Sequence, residues 1–329
     1  MPVEQYIILE PELGRPYVAI TAGEDRSLDT LDDQQIIELY KEHGALLFRG
    51  FELTVPGFSA FAGRFCTGSA FNESPDRQLL DEQHNVQTVN FGPDPFPLHP
   101  EMSRDPWRPD VCFFGCMSAP SQGGQTVICD GQQIVENMPP EVFNAFESRG
   151  LLHAQRATPE ICEYWLGERE PDDALLRNPP ESCPYQFFRL PDGTIGRSFT
   201  RPALYTPMFS DELTFANFLL FARYQLGVRS FPVFENRQQI PDALVAAVKE
   251  IADRLTVPVE WEQGDIVMLD NTRFMHGRNA ILDTDERLIL TYFGYLKFAE
   301  PGDEEPPNAP WRKPGFRPPY LVPVSRPAS

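Results

Sequence analysis

The feature that most constrains the fold is a pair of candidate metal-binding segments that lie far apart in the chain. The first is His99-Pro100-Glu101, and the second contains His276, which stands 175 positions after Glu101. On a strand, side chains two residues apart point to the same face, so His99 and Glu101 could bind one metal ion. His276 can join them only where two distant strands are brought together. This separation fits a barrel in which the intervening chain loops outside.

Short apolar runs bounded by turn-forming residues surround both segments. They occupy residues 111–116 and 126–129 in the first region and residues 265–269 and 288–293 in the second. Runs of this kind are typical of strands in a sheet or barrel. Residues 45–48 form another such run, and the 34 prolines and 22 glycines indicate many turns and irregular connections. The expected fold class is therefore mainly β with helices.

Helical periodicity occurs outside the strand-like regions. The spacing of apolar residues and the residues that flank them predict helices at 31–43, 55–66, 140–148, 211–226 and 241–255. Much of this helical pattern falls between the two candidate metal-binding segments. We therefore expect a single domain over 1–329, interrupted by a largely helical insert at about 139–260 and ending in an irregular tail at about 301–329.

The charge balance of the chain bears on its partners. There are 28 basic and 48 acidic residues, a net charge of −20, whereas nucleic acids and anionic membranes bind basic patches. The sequence contains no run of about 18 apolar residues, so we expect no membrane span. Residues 1–5 lack the basic and apolar regions of a signal peptide, so we expect none. Six scattered cysteines fit reduced thiols. We expect a cytoplasmic protein with a small-molecule substrate and no nucleic-acid or membrane partner.

Two histidines and one carboxylate form a ligand set with a defined chemistry. This set is the facial triad of non-haem Fe(II) oxygenases, which leaves three metal positions open. A His-x-Glu pattern alone is weak evidence, because most single histidines are hydrogen-bonded structural residues. Thr126 at a strand start and Arg287 before another strand add to it. A hydroxyl and a guanidinium suit the distal carboxylate of a dicarboxylic cosubstrate.

Several motifs in a consistent order give the chain a resemblance that covers nearly its whole length. They are Gly44-Ala45-Leu46-Leu47-Phe48-Arg49-Gly50-Phe51, His99-Pro100-Glu101, Gly124-Gln125-Thr126, Trp261-Glu262-Gln263-Gly264-Asp265, Asp270-Asn271, His276-Gly277-Arg278 and Arg287. With them the chain resembles the Fe(II)/2-oxoglutarate dioxygenases of the taurine dioxygenase-like (TauD/TfdA) family. The resemblance implies a double-stranded β-helix (jelly-roll, cupin-like) core. It also implies that His99, Glu101 and His276 are the catalytic iron ligands, and that Thr126 and Arg287 bind the C5 carboxylate of 2-oxoglutarate.

The resemblance further implies an activity, the hydroxylation of an unactivated C–H bond of a small metabolite with Fe(II), 2-oxoglutarate and O₂. Desaturation, oxidative cyclisation and epimerisation use the same ligands and stay open. Glu101, in place of the commoner aspartate, resembles the branch of clavaminate synthase and amino-acid hydroxylases. The expected substrate is therefore an amino acid or an amino-acid-derived natural-product intermediate of secondary metabolism, free or tethered to a carrier protein. The oligomeric state stays open.

Two positions narrow this interpretation. A carboxylate at Glu101 disfavours the related halogenases, which leave that iron position open for chloride. Thr291 stands four residues after Arg287, where taurine-type members often carry a second arginine that binds the substrate anion. The absence of this arginine argues against a sulfonate substrate and leaves the substrate's anchor unidentified.

Two interpretations from other classes remain. A non-catalytic β-barrel binding protein would need no iron, and the intact triad with Arg287 argues against it. A zinc hydrolase would need a water-activating base nearby and would give no role to Arg287 and Thr126.

Two arginines and one loop complete the set of expectations. Arg49 at the end of a strand is expected to pair with a carboxylate of the fold. Arg278 could point into the site or away from it. The loop at 86–97 precedes the first candidate ligand and could line the substrate side, because loops beside a site often determine specificity.

Overall fold

The computed structural model describes residues 6–283, 287–302, 305–306 and 308–318. The strands within these residues are β1 (Tyr6–Leu9), β2 (Val18–Ala22), β3 (Ala45–Arg49), β4 (Cys66–Ala70), β5 (Leu79–Asp81), β6 (Val86–Thr88), β7 (Phe96–His99), β8 (Val111–Ser118), β9 (Thr126–Asp130), β10 (Gly150–Arg156), β11 (Gln186–Arg189), β12 (Ile195–Pro202), β13 (Val233–Phe234), β14 (Val257–Pro258), β15 (Ile266–Asp270), β16 (Phe274–Arg278) and β17 (Leu288–Leu296). The α-helices are α1 (Asp33–His43), α2 (Val55–Phe65), α3 (Gly131–Glu136), α4 (Pro140–Phe146), α5 (Pro159–Leu166), α6 (Asp173–Arg177), α7 (Leu219–Tyr224) and α8 (Asp242–Leu255). The expected class, mainly β with helices, is confirmed.

Three sheets organise these strands. The large sheet has the order β1-β2-β3-β15-β8-β17-β6-β5, with β4 also paired to β17. The small sheet has the order β14-β9-β16-β7, and a third sheet has the order β11-β12-β10-β13. One apolar cluster contains residues of both the large and the small sheet, among them Phe114 of β8 and Ile128 of β9. The core that supports the candidate site therefore joins strands from the two regions that the sequence separates.

Helix α1 shows how local sequence fixes an element boundary. The Asp32 side chain accepts a hydrogen bond from the Gln35 amide at the N-terminus, as N-cap residues do. Gly44 ends the helix with a φ of 73°, a left-handed conformation that favours glycine. Strand β3 follows at once and pairs with β15 of the large sheet. The predicted helix and the predicted strand are both confirmed here.

The predicted strands at 111–116, 126–129, 265–269 and 288–293 are confirmed as β8, β9, β15 and β17. The predicted helix at 211–226 is wrong in extent, because only Leu219–Tyr224 is helical. The backbone before it pairs elsewhere: the Thr214 amide donates to the Tyr205 carbonyl at 2.8 Å, and the Phe215 amide donates to the Gly131 carbonyl at 3.0 Å. Neither amide donates to the carbonyl four residues before it, as a helix over 211–226 would require.

The chain between the two halves of the site is more mixed than its periodicity predicts. Helices α4 to α8 fall in the region at about 139–260, but so does the whole third sheet. The described part of the C-terminal region packs against the fold, with Trp311 buried. Arg312 forms an ion pair of 2.6 Å with buried Asp110, just before β8. Residues 1–5, where the sequence predicts no signal peptide, lie outside the described residues.

Helix length and hydropathy bear on membrane insertion. Among the described residues, no helix combines the length and the apolar character that crossing a bilayer requires.

Candidate metal and cosubstrate site

The two candidate histidine ligands meet across a pair of antiparallel strands. Strand β16 lies between β9 and β7 in the small sheet. In its register with β7, His276 stands opposite His99, and the two imidazole centroids are 4.6 Å apart. His276 itself lies within β16. Strand pairing therefore brings together residues that are distant in sequence.

Glu101 is positioned by a turn and a buried amide rather than by a strand. Strand β7 ends at His99, and Pro100 has no N–H with which to continue the pairing. The expectation that His99 and Glu101 share one strand is therefore wrong, although both reach the same site. The Glu101 amide donates to the Asn271 Oδ1 at 2.7 Å, and the Asn271 Nδ2 donates to the Glu101 carbonyl at 3.0 Å. Asn271 thus ties the turn to the segment between β15 and β16.

The side chains of His99, Glu101 and His276 converge closely enough to hold one metal ion. One ligand atom from each lies within 4.8 Å of the others, and Glu101 Oε2 is 3.7 Å from His276 Nε2. His99 Nδ1 lies 2.8 Å from the Pro97 carbonyl, which leaves Nε2 available as a ligand. Buried His276 Nδ1 has no hydrogen-bond partner among the described residues. Two imidazoles and a carboxylate in this arrangement fit Fe(II).

Burial and charge interactions keep His99 and Glu101 in forms that can bind a cation. Burial raises the pKa of Glu101, but the Arg77 guanidinium and the two imidazoles outweigh burial, and the pKa lies well below its usual range. Burial, with a contribution from His276, lowers the pKa of His99 to about 4. At neutral pH the carboxylate is therefore ionised and the His99 imidazole is neutral. Both are the forms that metal binding requires.

Thr126 and Arg287 line the same cavity as the candidate ligands. The Arg287 Nε donates to the Gly124 carbonyl at 2.9 Å, and the Trp261 Nε1 donates to the Thr126 hydroxyl at 3.2 Å. Gly124 has a φ of +68°, and a Cβ there would lie 3.2 Å from the Arg287 Cδ, so glycine permits this close approach. Burial lowers the pKa of Arg287 to about 10. The guanidinium remains charged at neutral pH and can bind a carboxylate.

The three candidate ligands, Thr126 and Arg287 line a cavity of about 290 Å³. The structure also adds two polar residues that sequence reasoning missed. The Asn72 Nδ2 donates to Glu101 Oε1 at 2.6 Å, and Arg77 Nη2 lies 3.3 Å from Glu101 Oε2. Both stand in an irregular segment between β4 and β5, where no periodicity or motif marks them. Only the contact with Glu101 identifies them.

The remaining expectations are resolved by direct contacts. Arg49 forms an ion pair of 2.7 Å with fully buried Asp265, which confirms its structural role. Arg278 lines the cavity, and its guanidinium donates to the carbonyls of Asn90, Gly92 and Asp94. Arg278 therefore holds the loop before β7 against the site. Parts of the expected loop at 86–97 do line the cavity.

The family model described as "Taurine catabolism dioxygenase TauD, TfdA family" matches residues 11–292. Pentalenolactone F synthase of Streptomyces avermitilis is 29% identical over 294 residues, which cover 82% of this chain and 88% of that enzyme. The 3-((Z)-2-isocyanoethenyl)-1H-indole synthase of Fischerella ambigua is 24% identical over 277 residues, with coverage of 82% and 88%.

Solved structures share the fold. PvcB of Pseudomonas aeruginosa aligns with a TM-score of 0.58 at 14% identity, over 91% of this chain and 94% of that chain. A taurine dioxygenase of Burkholderia xenovorans aligns with a TM-score of 0.58 at 16% identity, over 90% and 91%. At such low identities the likeness concerns the fold alone.

Proposed function

Because the chain belongs to the taurine catabolism dioxygenase TauD, TfdA family, we propose that it oxidises a C–H bond of a small metabolite at the site described above. His99, Glu101 and His276 bind Fe(II), and Thr126 and Arg287 hold 2-oxoglutarate. The large and small sheets form the double-stranded β-helix that carries the site. The observation that supports this proposal most is the β7–β16 pairing, which sets His276 opposite His99 beside Glu101.

Bound Fe(II), with 2-oxoglutarate and O₂ as cosubstrates, supplies the oxidising power to break an unactivated C–H bond. The chain's own residues position and protect the reaction. The Pro97 carbonyl orients the His99 imidazole, and Asn72 and Arg77 orient the Glu101 carboxylate. Arg287 pairs with the distal carboxylate of 2-oxoglutarate, assisted by the Thr126 hydroxyl.

Aromatic side chains restrict water and position the substrate beside the ligands. The Phe221 ring centroid lies 4.6 Å from that of His99, and the Phe114 centroid lies 5.0 Å from that of His276. Both residues line the cavity. A dry wall next to the ligands strengthens their electrostatic interactions and limits side reactions.

The substrate is a small molecule of specialised metabolism, and we propose an amino-acid-derived intermediate. The names of the two curated relatives describe the formation of pentalenolactone F and of an isocyanoethenyl indole. Hydroxylation is the reaction we favour, and desaturation, oxidative cyclisation and epimerisation are alternatives with the same ligands. Whether the substrate is free or tethered to a carrier protein is decided by assaying both forms.

A zinc hydrolase is a weaker candidate for the same residues. Such an enzyme needs a general base near the metal-bound water. Glu101 is itself one of the three candidate ligands, and Asp105 is the other buried carboxylate that lines the cavity within the described residues. This assignment would also leave Thr126 and Arg287 without a role.

The test is the visible absorption of the protein with Fe(II) and 2-oxoglutarate in the absence of O₂. We expect a weak charge-transfer band that requires both additions, and succinate on admission of air. His99→Ala and His276→Ala should abolish the band. His84→Ala is the matched control, because His84 pairs with Asp81 outside the cavity lining.

Two results would contradict the proposal. Absence of the band together with absence of succinate would show that the protein is not an oxygenase of this kind. A full band in His276→Ala would show that the ligands are misassigned.

A further inference from the structure

Arg77 lines the cavity and contacts the candidate metal ligand Glu101. We propose that Arg77 binds a carboxylate of the substrate, and that this carboxylate belongs to a molecule whose body is otherwise apolar. The inference rests on the proposed function, because it concerns the substrate of the same site. Arg77 would then be the substrate anchor that the sequence alone does not identify.

The Arg77 guanidinium is held in place by neutral and acidic partners. Its Nε donates to the Asn90 Oδ1 at 2.7 Å, its Nη1 to the Thr291 hydroxyl at 3.3 Å, and its Nη2 to Glu101 Oε2 at 3.3 Å. The side chain is 8% exposed. A guanidinium carries five N–H groups, and these contacts use one on each nitrogen. The second N–H of each terminal nitrogen has no partner among the described residues.

Thr291 is one of the hydrogen-bond partners of Arg77. The resemblance directed attention to position 291 for an arginine, and the chain has a threonine there. The Thr291 hydroxyl donates to the Gln87 carbonyl at 3.1 Å and accepts from Arg77. A cation thus occupies the space in front of Thr291, but it comes from the segment between β4 and β5.

The other arginines of the cavity have different partners. Arg278 binds three loop carbonyls, and Arg287, which donates to the Gly124 carbonyl, is assigned to 2-oxoglutarate. Arg104 lies 3.6 Å from Asp105 and is partly exposed. Arg77, in contrast, is buried and contacts the proposed metal ligand Glu101 directly.

The charge of the lining favours one negative charge on the substrate. Although the whole chain carries a net charge of −20, four arginines and three carboxylates line the cavity, at Arg77, Arg104, Arg278, Arg287, Glu73, Glu101 and Asp105. A divalent metal ion and doubly charged 2-oxoglutarate cancel each other. One positive charge therefore remains in the lining, and a single negative charge on the substrate would neutralise it.

The rest of the wall is apolar and aromatic. It includes Val89, Phe96, Met102, Phe114, Phe218 and Phe221. The rings of Phe218 and Phe221 lie 5.3 Å apart, and those of Phe96 and Phe221 lie 6.2 Å apart. A hydrocarbon or aromatic body fits this wall through area burial, while a single carboxylate fits Arg77.

The experiment measures the binding of matched acids and amides. Anaerobic protein saturated with Fe(II) and 2-oxoglutarate is titrated by calorimetry with 3-phenylpropanoate, 4-phenylbutanoate and indole-3-propanoate, and with the primary amide of each. Saturation with 2-oxoglutarate prevents the acids from binding at Arg287. We expect at least one acid to bind roughly 10- to 100-fold more tightly than its amide.

Arg77→Gln should remove this preference. Because Arg77 also contacts Glu101, we expect a weaker Fe(II)/2-oxoglutarate band in this variant, and the acids and amides are compared at Fe(II) and 2-oxoglutarate concentrations that restore the band. Arg77→Lys keeps a positive charge beside Glu101 and should retain a weaker preference for the acid. Arg156→Gln is the matched control, because Arg156 pairs with Asp192 on the surface and should behave as the unsubstituted protein.

Three outcomes would overturn the inference while leaving the proposed function intact. The first is that acids bind no better than amides, including the case in which neither binds. The second is that the acid preference survives in Arg77→Gln. The third is that both Arg77 variants lose the band, which would show that Arg77 serves only to hold Glu101. Absence of the band in the unsubstituted protein would instead contradict the proposed function.

Discussion

On the metal side of the cavity, both histidines and Thr126 lie on paired strands, whereas the substrate side is built on loops and a short helix. On the metal side, β16 pairs with both β7 and β9, and this register sets His276 opposite His99 and Arg278 opposite Thr126. On the substrate side, Arg77 comes from an irregular segment and Phe221 from six-residue α7. Backbone pairing fixes positions more tightly than loop contacts do. We therefore expect the reaction chemistry and the choice of substrate to be separable, except at Arg77, which contacts Glu101.

The contacts that stabilise the two sides differ in kind. The metal side depends on a sheet ladder and on Asn271, a fully buried amide that bridges two chain segments. The substrate side depends on single side chains that bind loop carbonyls, above all Arg278. Substitutions on the metal side should therefore remove metal or cosubstrate. Substitutions on the substrate side at residues that do not contact Glu101 should change only substrate selection and local order.

The largest expected effect is at Arg287. Arg287→Gln should weaken 2-oxoglutarate binding by more than a hundredfold, which corresponds to about 3 kcal/mol or more, because a buried carboxylate would lose its charged partner. Calorimetric titration of the Fe(II)-loaded protein with 2-oxoglutarate measures this affinity. Co(II) binding, followed by visible absorption, should be unchanged.

Arg287→Lys serves as the comparison at the same position. It keeps the charge without the two-pronged geometry and should lie between the other two proteins. If Arg287→Gln bound 2-oxoglutarate normally, Arg287 would be misassigned and would not belong to the metal side of the cavity.

The next effect is at Asn271. Asn271→Ala leaves the Glu101 amide and the carbonyls of Glu101 and Pro109 without their partner. We expect a loss of about 2–4 kcal/mol in the free energy of unfolding, together with weaker Co(II) binding. Urea denaturation and metal titration measure the two quantities. Exposed Asn279→Ala is the control and should change neither.

A stability loss without any change in metal affinity would separate Asn271 from the metal side. The turn that carries Glu101 would then be fixed by other contacts.

Much of the metal side could be predicted from the sequence, because strands and motifs are local signals. The short apolar runs that became β8, β9, β15 and β17 mark the sheet. The spacing of His99 and Glu101 and the distance to His276 indicate a shared metal. The expectation that His99 and Glu101 share a strand was wrong, because β7 ends at His99.

The substrate side could not be predicted in the same way. Asn72 and Arg77 belong to a segment without periodicity, and their contacts with Glu101 arise only when the chain is folded. The predicted helix at 211–226 placed Phe218 and Phe221 on a long helix, but backbone pairing of Thr214 and Phe215 shortens it. Long-range contacts of this kind leave no local signal for a single sequence.

A smaller effect is expected at Arg278, where the two sides meet. Arg278→Met keeps an apolar stem over the Phe96 ring but removes the bonds to the carbonyls of Asn90, Gly92 and Asp94. We expect a stability loss of about 1–2 kcal/mol and faster hydrogen exchange at residues 90–96. The Fe(II)/2-oxoglutarate band should remain.

Hydrogen exchange followed by mass spectrometry locates the change. Loss of the band in Arg278→Met would mean that the loop and the metal ligands form one unit, and the two-sided division would fail.

The smallest effect is expected at His153, which lies in the third sheet and does not line the cavity. Burial, with a contribution from Arg201, lowers the pKa of His153 to about 3, and its Nδ1 has no partner among the described residues. The unfolded chain takes up a proton below about pH 6.5, whereas the folded chain does not. Stability therefore falls as the pH drops from about 6.5 towards 3.

His153→Phe should make this fall shallower, by about 1 kcal/mol at about pH 5.5, because phenylalanine takes up no proton. A phenyl ring can replace the imidazole in its stack on Phe199, whose centroid is 4.7 Å away. Urea denaturation of both proteins at about pH 7 and pH 5.5 measures the difference between the two slopes. The band and the acid preference at neutral pH should be unchanged, because the third sheet supplies no cavity residue. Equal slopes in the two proteins would show that His153 is protonated in the folded state, and a changed band would show that this sheet is coupled to the metal side.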